Sequence, residues 1–216
     1  MRFRNALDGV FGRGSRVTLL RLLVRTRGER TGREWARLAG LDHKTCHSAL
    51  QGLARQGVVS ARRMGNAVIY RLKDDHALVR GIIVPAFDRE ERLVEEYADE
   101  ACREIGEKVE AVVLYGSVAR GDEEETSDVD LLFLVRDEKV ARAAQARVAD
   151  VMSSLARRYG SVPQIVVATA RRFREGVRRG LPLFVSILQA GRVLQGMSFS
   201  EILENGGKED RHAKRA

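Results

Sequence analysis

Nowhere in its 216 residues does the chain carry an apolar run near the ~20 residues that a membrane-crossing helix needs. Cysteine occurs twice, as Cys46 and Cys102, and tryptophan once. Two isolated cysteines exclude a disulfide-built scaffold, and neither has the spacing of a metal ligand. Internal repeats are absent. The opening stretch, Met1 to Val10, lacks the long apolar core of a secretory leader. These absences lead to the expectation of a cytoplasmic protein with reduced thiols and no membrane partner. What is present is a hydrophobic fraction of 44%, enough for a globular core, on a length that suits one or two domains.

Charge is placed unevenly. Residues 1–72 hold fifteen Lys and Arg against four Asp and Glu, a net of +11 within a total of +8. A basic first third on a slightly acidic remainder points to nucleic-acid contact by that third. Its pattern is regular. Asn5 to Phe11 suggests a short helix, and Ser15 is placed to cap the next one, with Gly28 as its stop. Thr31-Gly-Arg-Glu34 reads as a capping box, and Trp35, Leu38 and Ala39 as the buried face behind it. Asp42 is placed to cap a helix from His43 to Gln56 with an apolar stripe of Ala49, Leu50 and Leu53. Two β-rich runs then flank Gly65-Asn66, the signature of a hairpin.

Three helices followed by a hairpin resemble a winged helix-turn-helix domain, here over about 70 residues. The resemblance implies a third helix in the major groove of duplex DNA and a wing on the backbone. The matching polar positions are His43, Lys44, Thr45, His47, Ser48 and Gln51 on the helix, with Arg62, Arg63 and Arg71 on the wing. Their side chains suit base edges and phosphates. His43 and His47 also have a zinc-like spacing, but no third ligand accompanies them at a known spacing, so a polar recognition face is the reading adopted. Beyond Lys73–His76, a polar hinge, an apolar patch from Ala77 leads to Pro85, which is placed to start or kink a helix. From Asp88 to Glu107, Leu93, Tyr97, Ala101 and Ile105 recur every four residues. That amphipathic helix suits a link between domains, and equally a homodimer contact or packing on the next domain.

The densest signal lies at 111–135. An apolar run, Ala111 to Tyr115, stops at Gly116-Ser117; an acidic loop follows; a second apolar run, Val129 to Val135, opens with Asp128 and Asp130 beside it. Side chains two apart on a strand share a face, so two carboxylates stand together next to a Gly-Ser turn. Paired hard oxygens suit Mg2+ with phosphate oxygens completing its shell. Gly116 lets backbone approach a phosphate, Ser117 adds a hydroxyl at the start of a short helix, and Arg120 adds a cation.

This stretch, with Gly-Ser ten residues before Asp-Val-Asp and a strand on each side, resembles the minimal nucleotidyltransferase domain of the DNA polymerase β superfamily. The resemblance implies Asp128 and Asp130 as catalytic metal ligands, and Gly116, Ser117 and Arg120 as nucleotide-binding residues. It further implies Mg2+ as cofactor and ATP or another nucleoside triphosphate as substrate or ligand. The family carries a third carboxylate on the next strand, where this chain has Gln164. An amide there weakens the case for transfer chemistry but not for nucleotide binding; Asp122 and Glu123 to Glu125 are the other carboxylates near the pair.

Glu138 to Tyr159 reads as a helix, Ile165 to Ala168 as a strand, Arg171 to Arg179 as an arginine-rich helix with a solvated face or a second surface for nucleic acid or an acidic partner, and Leu181 to Gln189 as a last helix, while Gly191 to Gly196 resembles the closing strand of minimal nucleotidyltransferases. The expected class is α+β: a winged helix-turn-helix over 1–74, a linking helix over 75–108, and a small α/β nucleotidyltransferase domain over 109–198 with a mixed sheet flanked by helices. A partly disordered tail is expected over 199–216. Three functions fit: a Mg2+-dependent nucleotidyltransferase that also binds DNA; a winged-helix transcription regulator whose second domain senses nucleotide or dimerises; and an antitoxin-type nucleotidyltransferase with a partner protein as acceptor.

Overall fold

The computed structural model describes residues 3–12, 14–123 and 127–204. They form two units. One runs from Asn5 to Arg92. The other takes Phe3 and Arg4 together with the chain from Leu93 onward. Among the described residues, no helix is long and apolar enough to cross a membrane.

The N-terminal unit contains α1 (Leu7–Phe11), α2 (Ser15–Thr26), β1 (Arg30–Thr31), α3 (Gly32–Ala39), α4 (His43–Arg55), β2 (Val59–Met64) and β3 (Ala67–Leu72). Its strands pair antiparallel in the order β1-β3-β2. The hairpin closes on Gly65-Asn66, with Gly65 at φ 58°, a conformation that its missing side chain allows. The Thr31–Glu34 capping box forms, and Asp42 caps α4 by accepting from the Thr45 amide at 2.9 Å. Leu19, Leu23, Trp35, Leu50 and Tyr70 lie at the centre of the core.

Three local expectations need correction here. Ser15 is the first helical residue of α2, and Gly14 stands at the cap. The left-handed stop of α2 falls on Arg27, at φ 49°, rather than Gly28. Arg27 donates its Nε to the Val24 carbonyl and its Nη1 to Asp74, bonds that offset the unfavourable backbone. Leu38 is 45% exposed. On a helical wheel Trp35, Ala36 and Ala39 share one arc, and Leu38 falls outside it.

A buried charge cluster ties this unit together. Arg21 donates to Glu90 at 2.7 Å and to Asp8 at 2.6 Å, and Glu90 also accepts the Leu7 amide. Glu90 belongs to α5 (Val84–Ile105), which follows a single π-helical turn at Val79–Ile83. In that turn the Val84 amide reaches back to the Val79 carbonyl, and the widened backbone leads into Pro85, which has no amide to give. The helix starts earlier than its charge pattern suggests, and the boundary between the two units falls inside it. Phe87 belongs to the first core; Val94, Tyr97, Ala98, Ala101 and Ile105 belong to the second.

The C-terminal unit holds β4 (Val109–Tyr115), α6 (Gly116–Arg120), β5 (Val129–Val135), α7 (Glu138–Tyr159), β6 (Pro163–Thr169), α8 (Ala170–Arg178), α9 (Pro182–Ala190), β7 (Arg192–Gly196) and α10 (Phe199–Glu204). The sheet order is β6-β5-β4-β7; β5 and β6 run parallel and the other pairs antiparallel, so the sheet is mixed. Leu131 and Phe133 face α5 and α7, while Leu132 and Leu134 face α8, α9 and α10. A strand buried on both faces reads as an unbroken apolar run, which is why β5 stood out in the sequence. Two surface expectations change. Arg174 of α8 is buried and donates to the Ile202 carbonyl at 3.0 Å. Residues 199–204, assigned to a tail, form α10 with Ile202 fully buried; the rest of that tail lies outside the described residues.

Candidate functional site

The C-terminal end of β4 and the N-terminal ends of β5 and β6 meet at one edge of the sheet. Tyr115 pairs with Asp130, and Asp130 pairs with Gln164 on the far side. Gly116 follows β4 at φ 71°, and a Cβ there would collide with the Asp130 carboxylate. Glycine is therefore needed twice over, for the backbone turn and for the space the carboxylate fills. Ser117 is half-buried near the start of α6. Arg120, at the end of α6, is exposed and pairs with Asp122 at 3.1 Å.

Asp128 stands just before β5, near enough for its charge to act on Asp130. Gln164 donates its Nε2 to Asp128 Oδ2 at 3.1 Å. The structure thus gathers Gly116, Ser117, Asp128, Asp130 and Gln164 at one edge, with Arg120 one short helix away. The electrostatics are those of crowded carboxylates. Burial pushes the Asp130 carboxyl above the usual aspartate range, the charge on Asp128 adds to this, and Arg120 partly opposes it. Burial beside Asp130 pushes the Tyr115 phenol up to about 12. Two adjacent carboxylates, one of them reluctant to ionise, are a natural seat for a divalent cation. Among the described residues no cluster of three His, Cys, Asp or Glu gathers. An ion held by this pair would take its other ligands from water and phosphate, which is how Mg2+ is commonly bound.

The polar residues assigned to nucleic acid lie in the N-terminal unit. His43, Lys44, Thr45, Ser48 and Gln51 are exposed on α4, as are Arg62, Arg63 and Arg71 on the hairpin. His47 is half-buried; its Nδ1 lies 3.4 Å from the Tyr70 hydroxyl, and its ring stacks on His43 at 6.2 Å. An open groove of about 640 Å3 separates helix from hairpin, lined by Arg33, His43, His47, Asn66 and Tyr70. The wing arginines are not all free cations. Glu29 pairs with Arg62 at 3.4 Å and with Arg71 at 3.7 Å, whereas Arg63 bonds the Gly65 carbonyl.

Residues 94–178 match the protein family described as Nucleotidyltransferase domain. A Methanocaldococcus jannaschii protein named "Putative protein adenylyltransferase" is 40% identical over 45 residues, which are 21% of this chain and 46% of that protein. The chain thus spans about half the length of the curated relative it matches. A crystal structure of a toxin–antitoxin with AMP-PNP is similar at 16% identity and a TM-score of 0.37, over 56% of this chain and 90% of that one. The solution structure of a homodimeric winged helix-turn-helix DNA-binding domain from Mycobacterium bovis is similar at 30% identity and a TM-score of 0.29, over 44% of this chain and 76% of that one.

Behind the acidic pair the C-terminal unit has supports that sequence reasoning missed. Ser161, buried before β6, donates to the Ser127 carbonyl at 3.3 Å, and the Val129 amide donates to the Val162 carbonyl. Tyr97 of α5 donates to the Ser161 carbonyl, and its phenol is shifted well up by burial, by Tyr159 and by Asp128. Glu123, one of the acids near the pair in sequence, is buried and accepts the amides of Phe3 and Arg4. These partners lie 33 to 120 residues apart in the chain, so no local pattern signals them. Glu124 and Glu125 lie outside the described residues.

Proposed function

We propose that the C-terminal unit is a nucleotidyltransferase domain that binds a nucleoside triphosphate with Mg2+ and transfers its nucleoside monophosphate to a protein, and that the N-terminal unit binds duplex DNA. The observation that carries the reading is the edge where a glycine-only turn, a serine and two adjacent aspartates converge. Asp128 and Asp130 would hold the ion, which when bound supplies positive charge against the triphosphate oxygens. The Ser117 hydroxyl and the Arg120 guanidinium offer donors to the same oxygens. The Methanocaldococcus relative, named for adenylyl transfer to protein, supports ATP as donor and a protein as acceptor. In such a transfer an acceptor hydroxyl oxygen bonds to the α-phosphorus, the bond to the bridging oxygen breaks, pyrophosphate leaves and the hydroxyl proton must go to a base.

Gln164 favours a second reading of the same domain. It occupies the position beside Asp130 where the resemblance places a third carboxylate, and its amide donates to Asp128 instead of accepting a proton. Binding without brisk transfer follows, which suits a DNA-binding regulator that senses nucleotide. Both readings meet one test: incubate the full chain with labelled ATP and Mg2+ in a cell lysate. Label on a protein supports transfer. No label with any of the four nucleotides, alongside measurable nucleotide binding, supports the sensor. Gln164→Asp should then raise metal-dependent pyrophosphate release about 100-fold, the scale of a well-placed general base.

A further inference from the structure

The loop between the Gly-Ser turn and the acidic pair is gripped from an unexpected direction. Glu123, 9% exposed, turns its carboxylate onto the chain's N-terminal segment. One oxygen accepts the Phe3 amide at 3.2 Å and the other accepts the Arg4 amide. Arg4 returns the contact by donating its Nη1 to the Gly121 carbonyl at 3.1 Å. Phe3 plugs the core beneath, with its ring 5.0 Å from that of Tyr97 and 6.3 Å from that of Tyr159. Tyr97 is the residue that also holds the loop before β6, through the Ser161 carbonyl. Gly121, at φ 77°, donates back to Ser117, and so does the Asp122 amide. The strap of Phe3 and Arg4 therefore fixes Gly121 and Glu123, and between them and Ser117 lies Arg120.

We propose that Glu123 is a positioning residue for the nucleotide site: by clamping the strap it holds the loop so that Arg120 and Ser117 are preset for phosphate. The proposal rests on the nucleotide-binding reading above. A carboxylate taking two backbone amides makes charge-assisted hydrogen bonds, stronger than neutral ones, so one side chain can order a loop. Each of its oxygens accepts one backbone amide of the strap. Its charge is of the wrong sign for a phosphate ligand. That sign separates positioning from contact. Neutralising a carboxylate beside an anion site should, by charge alone, strengthen triphosphate binding. Loss of affinity on neutralising Glu123 can arise only through the loop.

The experiment compares the full chain, Glu123→Gln and Phe3→Ala. Phe3→Ala loosens the strap without altering charge near the loop. Two readouts are taken: ATP affinity with Mg2+ by calorimetry, and hydrogen exchange of the amides from Val118 to Glu123. The proposal expects ATP affinity to fall about ten-fold in both variants, with exchange over that stretch at least ten-fold faster. Glu123→Asp, which keeps the charge but shortens the reach, should lie between them and the unaltered chain. Unchanged or tighter ATP binding by Glu123→Gln overturns the proposal, even where exchange quickens, because the clamp would then be structural only. Unchanged exchange overturns it as well. If the unaltered chain binds no ATP, the nucleotide reading fails first and the positioning role falls with it; the unaltered chain alone decides that case.

Discussion

Asp130 is held where a carboxylate is costly. Burial and the neighbouring charge of Asp128 both raise its carboxyl above the usual aspartate range, and Arg120 offsets only part of this. The folded chain therefore keeps a proton on Asp130 at a pH where the unfolded chain has lost it. Without a cation, this group's contribution to stability is greatest below the ordinary aspartate value near 3.9 and falls as pH rises through the raised value. Asp130→Asn removes the repulsion. The variant should melt about 2 °C above the parent at pH 7 in chelator, the scale that small gains have in a chain of this size. It should also lose Mg2+-dependent nucleotide binding. A variant that melts lower would mean that the carboxylate is stabilising where it stands. Gln164 and Glu123 complete the residue-scale picture. Gln164 donates its amide to Asp128, and both oxygens of Glu123 accept backbone amides. Asp122, exposed and paired with Arg120, is the remaining described carboxylate of that loop.

At the scale of elements, what was legible in the sequence was local. The Thr31–Glu34 box, the Gly65-Asn66 turn, the bounds of β5 and those of α7 all depend on residues within a few positions of one another. The same holds for the core of the candidate site, since Gly116 to Asp130 is one excursion between adjacent strands. Illegible features needed the third dimension. Arg174 reads as one more surface arginine until α10 packs over it, and Glu90 reads as solvated until Arg21 meets it. The Arg21–Glu90 pair carries a test. Its side chains are 6% and 1% exposed, so removing one partner strands a buried charge. Glu90→Ala should destabilise the N-terminal unit by about 3–5 kcal/mol, measured by denaturant titration of the full chain; a loss below about 1 kcal/mol would contradict that account. The hairpin carries another. Arg62 and Arg71 share Glu29, while Arg63 does not, so Arg63 is the readier phosphate cation. In duplex DNA binding, Arg63→Ala should lower the salt-dependence slope by about one, and Glu29→Gln should tighten binding. Equal, negligible effects of both would remove the wing from the interface.

For the molecule as a whole, two cores with different charge balance share one chain. The N-terminal unit carries the basic excess read from the sequence, and the C-terminal unit carries the acidic edge. The chain passes between the units twice, after Arg4 and at Arg92–Leu93. The first crossing follows directly on the strap that Glu123 clamps; the second lies within α5, which also supplies Tyr97. Everything proposed for the C-terminal unit depends on the acidic pair acting as the seat of a metal–triphosphate complex. The most direct measurement is calorimetric titration of ATP into the full chain, with Mg2+ and then with chelator, repeated for Asp128→Asn/Asp130→Asn. The account predicts saturable binding that requires Mg2+ and weakens at least 100-fold in the double variant. Equal affinity with and without Mg2+, or binding untouched by the double substitution, would contradict it.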